Sequence, residues 1–332
     1  MKIKLYLLSI LIFTLFSCGD ENSDSNDVDP VEEVQIELGK TNQTIEHNGI
    51  TRTYVQYVPN SYNHENPTSL VINFHGNGGD AQAYADSTGD FYQFHNVSES
   101  GKFIVVYPQG VIRVKGAAEW DPGDNSSTNI NDNDLFFTEK LIEDIDETYN
   151  IDLTRVYAVG FSNGGMMAYG LACKRPSKIA AIGIMSGIML PDDSCNSNEY
   201  TSVIHFHGTY DDSIPYNGEF DFDSVPYVIN FWLNHNSIPQ ASETITQLNG
   251  GVVTKTEYTG GNGNSDFTLY KIDEEYGKEG GHVWFGDTID GKIPGQIMWD
   301  FLSNYTTNDL SLIHISEPTR RRGISYAVFC LK

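Results

Sequence analysis

The chain is short of positive charge. Twenty lysines and arginines stand against 45 aspartates and glutamates in 332 residues, a formal net charge of −25. A surface of that sign repels nucleic acid and anionic polymers, so no nucleic-acid partner is expected and a neutral or hydrated substrate fits better. Metal-ligand patterns are also lacking. There is no H-E-x-x-H and no paired C-x-x-C, and the loop "DPGDNSSTNINDND" has neither the glycine nor the spacing of a calcium loop. No metal and no cofactor are therefore expected. After the first apolar run no stretch is long enough to span a bilayer, and no internal repeat or second domain boundary shows.

The two ends read differently from the middle. "MKIK", the apolar "LYLLSILIFTLF" and then "LFSC" form a lipoprotein signal over residues 1–18, with Cys18 as the lipidated residue; Phe16 is bulky for that motif, so an ordinary secretory signal is the alternative. Residues 19–33, "GDENSDSNDVDPVEE", carry almost no apolar side chains and cannot offset the entropy of ordering, so they read as a disordered acidic tether. The protein is expected to be exported, and either anchored by lipid to the bacterial outer envelope or secreted, with membrane contact only through the anchor. At the other end, residues 310–332 ("LSLIHISEPTR" to "ISYAVFCLK") resemble a translation of sequencing-library adapter DNA and are expected to be an assembly artefact. Of four cysteines, Cys18 is assigned to lipid and Cys330 to the artefact. Cys173 and Cys195 remain, and in an oxidising compartment they are expected to form a disulfide.

Residues 34–309, roughly 275, suit one α/β domain. "TRTYVQYVP" alternates as a half-exposed strand does, whereas "SLVINFHG" and "KFIVVYPQG" are continuous apolar runs of strands buried on both faces. "DLFFTEKLIEDIDETYN" has helical spacing and leads through "IDLTR" to the strand "VYAVG". Strand and helix then alternate through "MMAYGLACK", "IAAIGIMSG", "TSVIHFHG", "SVPYVINFWLNHN", "DFTLYKI" and "PGQIMWDFLSNY". The alternation predicts a mostly parallel central sheet with helices on both faces.

In such a sheet reactive groups collect at the carboxyl ends of the strands. There, "GFSNGG" sets Ser162 in a G-x-S-x-G turn between strand and helix, where glycines 160 and 164 allow a strained serine and a close helix. A hydroxyl nucleophile needs a base. His282, in the glycine-flanked "GKEGGHVWFG", can bring an imidazole over the sheet edge, while His235 ends a helix as a solvated or capping residue. Asp211 or Asp212 in "HFHGTYDDSIPY" would orient that imidazole; spacing alone does not choose between them. The backbone N–H groups of Asn77, in "FHGNGGD", and Asn163 are the natural oxyanion pair. His75 reads as a structural histidine fixing that loop, and His205 and His207 as strand-end packing. Trp120, Trp284 and Tyr216 are candidate aromatic walls for substrate.

From "NGITRTYVQYVP" through "VINFHGNGG", "FIVVYPQG", "IDLTRVYAVGFSNGGMM", "HFHGTYDDSIPY" and "GGHVWFG", the chain resembles the secreted polyhydroxybutyrate depolymerase and feruloyl esterase group of α/β-hydrolases, close to carbohydrate esterase family one. The resemblance implies an α/β-hydrolase fold in a single domain, Ser162 as nucleophile, Asp211 as acid and His282 as base. It also supports the Cys173–Cys195 pair. Phe285 stands where the family often has proline. The expected activity is a serine carboxylic-ester hydrolase acting through an acyl-enzyme on a feruloylated or acetylated glycan or a polyester oligomer. A feruloyl or related cell-wall esterase comes first, with polyhydroxybutyrate depolymerase or acetylxylan esterase as alternatives. A surface glycan-binding lipoprotein with an inactive hydrolase fold is the non-enzyme alternative.

Overall fold

A computed structural model describes residues 36–113, 116–123, 134–190, 195, 199–219, 221–273 and 280–307. The signal, Cys18, the tether, most of the acidic loop after Trp120 and the 310–332 segment lie outside them.

The chain opens with the hairpin β1 (Gly39–His47) and β2 (Ile50–Val58), then β3 (Thr68–Phe74). Helix α1 (Ala81–Tyr84) runs into a π-turn over Ala85–Phe91, and α2 (Phe94–Gly101) leads to β4 (Phe103–Pro108). A small ribbon, β5 (Val111–Ile112) with β6 (Ala118–Glu119), precedes α3 (Asp134–Thr148). Next come β7 (Ile151–Phe161), α4 (Asn163–Lys174), β8 (Ala181–Met185), β9 (Ser202–Gly208) and α5 (Val225–His235). The remainder is β10 (Thr244–Leu248), β11 (Val253–Tyr258), β12 (Phe267–Ile272) and α6 (Pro294–Leu302).

Ten strands form one sheet in the order β1-β2-β4-β3-β7-β8-β9-β12-β11-β10. The six from β4 to β12 are mutually parallel, and the two strands on each edge run antiparallel. The expected mostly parallel sheet is thus present. Strands β4, β8 and β9 are buried along their whole length, as continuous apolar runs covered on both faces must be. Alternate residues of one strand feed two cores: Leu70, Ile72 and Phe74 of β3 pack with α3, α4 and α5, while Val71 packs on the side of α2 and α6.

The strand order reverses between β3 and β7. From β3 the chain steps outward to β4, then returns to place β7 on the other side of β3, with Phe74 opposite Gly160. A crevice opens where such a sheet changes direction, outside the carboxyl ends of its strands. The loop after β3 and the turn after β7 both lie there. "IDLTR" belongs to β7 rather than to its lead-in, and the edge pair β10–β11 was not among the expected elements.

Candidate active site

Between β7 and α4 stands one residue, Ser162. Its backbone has φ 55° and ψ −122°, a conformation that costs an L-residue roughly 1–3 kcal/mol and persists only where the surroundings impose it. Here its N–H donates to the Met185 carbonyl at 2.9 Å, and its carbonyl accepts the Gly165 and Met166 N–H groups at 2.9 and 3.1 Å. The neighbouring glycines are required by closeness. A Cβ on Gly160 would stand 2.1 Å from the Gly164 carbonyl, and one on Gly164 2.1 Å from the Phe74 carbonyl oxygen.

The turn holds Ser162 Oγ 2.9 Å from His282 Nε2, and His282 Nδ1 lies 2.8 Å from Asp211 Oδ2. A carboxylate only accepts, so the proton sits on Nδ1 and Nε2 is left to accept from the serine hydroxyl. Asp212 is exposed and outside this contact. The Asp211 side chain is fully buried, whereas the His282 ring is 18% exposed. Burial alone would raise the Asp211 carboxyl. Hydrogen bonds from His282 and the Ile214 N–H, with the nearby His282 and His207, outweigh that and hold it below the usual carboxylate value. Such a chain can move a proton from a hydroxyl to an imidazole and stabilise the imidazolium that results.

The loop bearing His282 is pinned from two sides. The Gly280 carbonyl accepts the Tyr210 N–H at 2.7 Å, and a Cβ on Gly208 would stand 2.1 Å from the Gly280 oxygen, so β9 must end in glycine for the loop to dock. Ser186, directly after β8, is buried with φ 49° and donates its hydroxyl to the Val283 carbonyl at 3.0 Å. This residue was missed in the sequence; only its place at the end of an apolar run pointed to it.

The loop after β3 lies against the serine: a Cβ on Gly76 would be 3.3 Å from Ser162 Cβ. Among the described residues neither the Asn77 nor the Asn163 backbone N–H has a protein acceptor. The Asn163 side chain clasps the Trp120 backbone, accepting its N–H at 2.7 Å and donating to its carbonyl at 3.2 Å. His75 is wholly buried; Nδ1–H donates to the Gly76 carbonyl at 2.7 Å and Nε2 accepts the Gly110 N–H at 3.0 Å, a structural use that fixes this loop. Behind it Asp134 receives Arg52 at 3.1 Å, Arg113 at 2.7 Å and the Asp121 N–H at 2.8 Å, tying the Trp120 segment to the start of α3.

The expected aromatic walls need correction. Trp120 is 3% exposed, its indole N–H donating to the His75 carbonyl at 2.9 Å and its ring edge-on to Phe74. Trp284 is 6% exposed and packs near Tyr84 and Phe94 on the α2–α6 side. Both serve as core, Trp120 in the cluster that holds Phe74 and Trp284 in the one that holds Phe94. Tyr216 is half-buried with its edge toward His207. Phe285 is buried in the same core as Trp284. Cys173 and Cys195 form a disulfide, fastening the far end of α4. A cavity of about 460 Å³ between β10–β12 and α6, lined by Lys255, Tyr270 and Phe301 among others, includes none of these site residues.

Known proteins share this sequence pattern and this fold. The phospholipase/carboxylesterase family matches residues 61–245, more than half of the chain. Feruloyl esterase D of Neurospora crassa is 26% identical over 220 residues, covering 64% of this chain and 69% of its own. Feruloyl esterase C of Emericella nidulans is 26% identical over 264 residues, 79% and 86% of the respective chains. The solved acetyl xylan esterase from Aspergillus awamori shares the fold with a TM-score of 0.56 at 16% identity, over 79% of this chain and 99% of that one. A serine on a strained strand-to-helix turn at the switch point of a parallel sheet is what this family's chemistry requires: the chain belongs to the phospholipase/carboxylesterase family, has the α/β-hydrolase fold and is a carboxylic-ester hydrolase.

Proposed function

We propose that the chain is a feruloyl esterase of the plant cell-wall type, exported and held to the envelope through Cys18. The observation that carries the chemistry is the continuous contact Ser162–His282–Asp211. Support for the acyl group comes from the two relatives, both feruloyl esterases. The Cys173–Cys195 disulfide supports export; Cys18 and the tether lie outside the described residues.

In this reading Ser162 Oγ attacks the ester carbonyl carbon while His282 Nε2 takes its proton. The oxyanion that forms rests on the Asn77 and Asn163 N–H groups. His282 then returns the proton to the leaving alkoxide, which departs as alcohol and leaves an acyl-serine. A water attacks the acyl carbon, gives its proton to His282, and the free acid leaves as the proton returns to Ser162. Asp211 orients the ring throughout.

The test is hydrolysis of methyl ferulate beside p-nitrophenyl acetate, with Ser162→Ala as control. Turnover of both, lost in the control, supports the reading. Turnover of acetate alone keeps the chemistry and removes the feruloyl assignment, pointing to acetylated glycans or polyester oligomers.

A further inference from the structure

Behind Asp211 lies a row of buried polar rings that the reaction just described does not use. His205 and His207 share one face of β9, and with Tyr169 of α4 all three have no exposed surface. The Tyr169 hydroxyl is 3.0 Å from His205 Nδ1, His205 Nε2 is 3.1 Å from His207 Nδ1, and His207 Nε2 is 2.8 Å from the Ile214 carbonyl oxygen. The same Nε2 is 3.5 Å from Asp211 Oδ2.

Only one arrangement of protons satisfies the row. A carbonyl accepts and cannot donate, so His207 carries its proton on Nε2 and accepts at Nδ1. His205 must then donate from Nε2 and accept at Nδ1, which Tyr169 satisfies by donating its hydroxyl. Burial holds both imidazoles neutral by lowering their pKa. The aligned donors polarise one another, with the positive end at the Asp211–Ile214 turn. That turn is the frame of the acid: Asp211 Oδ1 accepts the Ser213 N–H at 3.0 Å and the Ile214 N–H at 2.7 Å. Holding the Ile214 carbonyl therefore holds the residue whose N–H aims the carboxylate. Filling space does not require this, since apolar rings would occupy the volume without burying groups that need partners.

We propose that His207, kept in one tautomer by His205 and Tyr169, is a positioning residue for the reaction, fixing the Asp211–Ile214 turn and thereby the orientation of the His282 ring. The proposal rests on the esterase reading above. It predicts that His207→Phe, which keeps a ring but loses the donor, lowers kcat on p-nitrophenyl acetate by roughly tenfold to a hundredfold, the scale of a small misplacement of a reacting group. KM should stay within about twofold, because no substrate contact is removed. His207→Gln, whose amide restores a donor near the Nε2 position, should recover most of the loss.

A fluorophosphonate separates folding from positioning: the His207→Phe chain should label slowly but to the same final stoichiometry as the unaltered protein. Wild-type kcat in His207→Phe, or no recovery in a folded His207→Gln, overturns the proposal alone. If His207→Phe does not fold, Tyr169→Phe decides, with a kcat loss of roughly threefold to tenfold at unchanged KM expected and an unchanged kcat overturning the proposal. An unaltered protein that neither labels at Ser162 nor hydrolyses an ester overturns the esterase reading, and this proposal with it.

Discussion

Asp211 has its two oxygens in different service. Oδ1 is held by two backbone N–H groups and Oδ2 by the His282 ring. This asymmetry predicts the outcome of Asp211→Asn. The amide oxygen must take the Oδ1 place, because Ser213 and Ile214 present donors there, which leaves the NH₂ facing His282 Nδ1. The ring then accepts at Nδ1, its proton moves to Nε2, and Nε2 can no longer receive the serine proton. We expect kcat to fall by roughly 10³–10⁴, the cost of the wrong tautomer in such a triad, with a thermal midpoint close to that of the unaltered chain because the turn keeps its acceptor. Steady-state kinetics with p-nitrophenyl acetate and a melting curve check both parts; a loss below about tenfold would mean that another group orients the ring.

At the scale of elements, the site depends on loops docking on strand ends without side chains between them. Gly208→Ala places a Cβ 2.1 Å from the Gly280 oxygen, so the His282 loop must shift although no catalytic atom is removed. The expected result is a kcat loss of about a hundredfold or more with a stability cost of roughly 1–3 kcal/mol, read by kinetics beside denaturant melts. Retained kcat would show that the loop yields elsewhere. The glycines around Ser162 were legible because their motif carries its geometry with it, and the buried parallel strands were legible from apolar runs. Burial of Trp120 and Trp284 was not, since it depends on partners distant in the chain, Phe74 for the one and Tyr84 and Phe94 for the other. The direction of the histidine row was equally hidden: it is set by Tyr169, far away in the chain, and by a carbonyl. The β10–β11 pair escaped notice because its strands are short and polar, and β10 is almost wholly exposed.

The whole molecule sets two electrostatic effects against each other. A net charge of −25 makes the folded state repel itself, so adding protons should help it and salt should screen the effect. The buried histidines act in the opposite sense. His75, His205 and His207 have no exposed surface, and burial lowers the pKa of each. The unfolded chain, with histidines near 6.5, therefore binds protons more readily than the folded one. Their contribution is complete above about pH 6.5 and is lost as the pH falls below it, by up to about 1.4 kcal/mol per pH unit for each residue. Asp134 and Asp144 oppose this, because burial raises both carboxyls, but two groups do not reverse the slope of three. Free carboxyl side chains titrate near pH 4, so the histidines should dominate between pH 6.5 and 5. We expect the melting temperature to fall by on the order of 10 °C per pH unit in that window, and to fall equally at low and high salt, because salt screens surface charge and not buried rings. A melting temperature that rises on acidification, or a slope that salt abolishes, would show that surface repulsion governs this protein's stability.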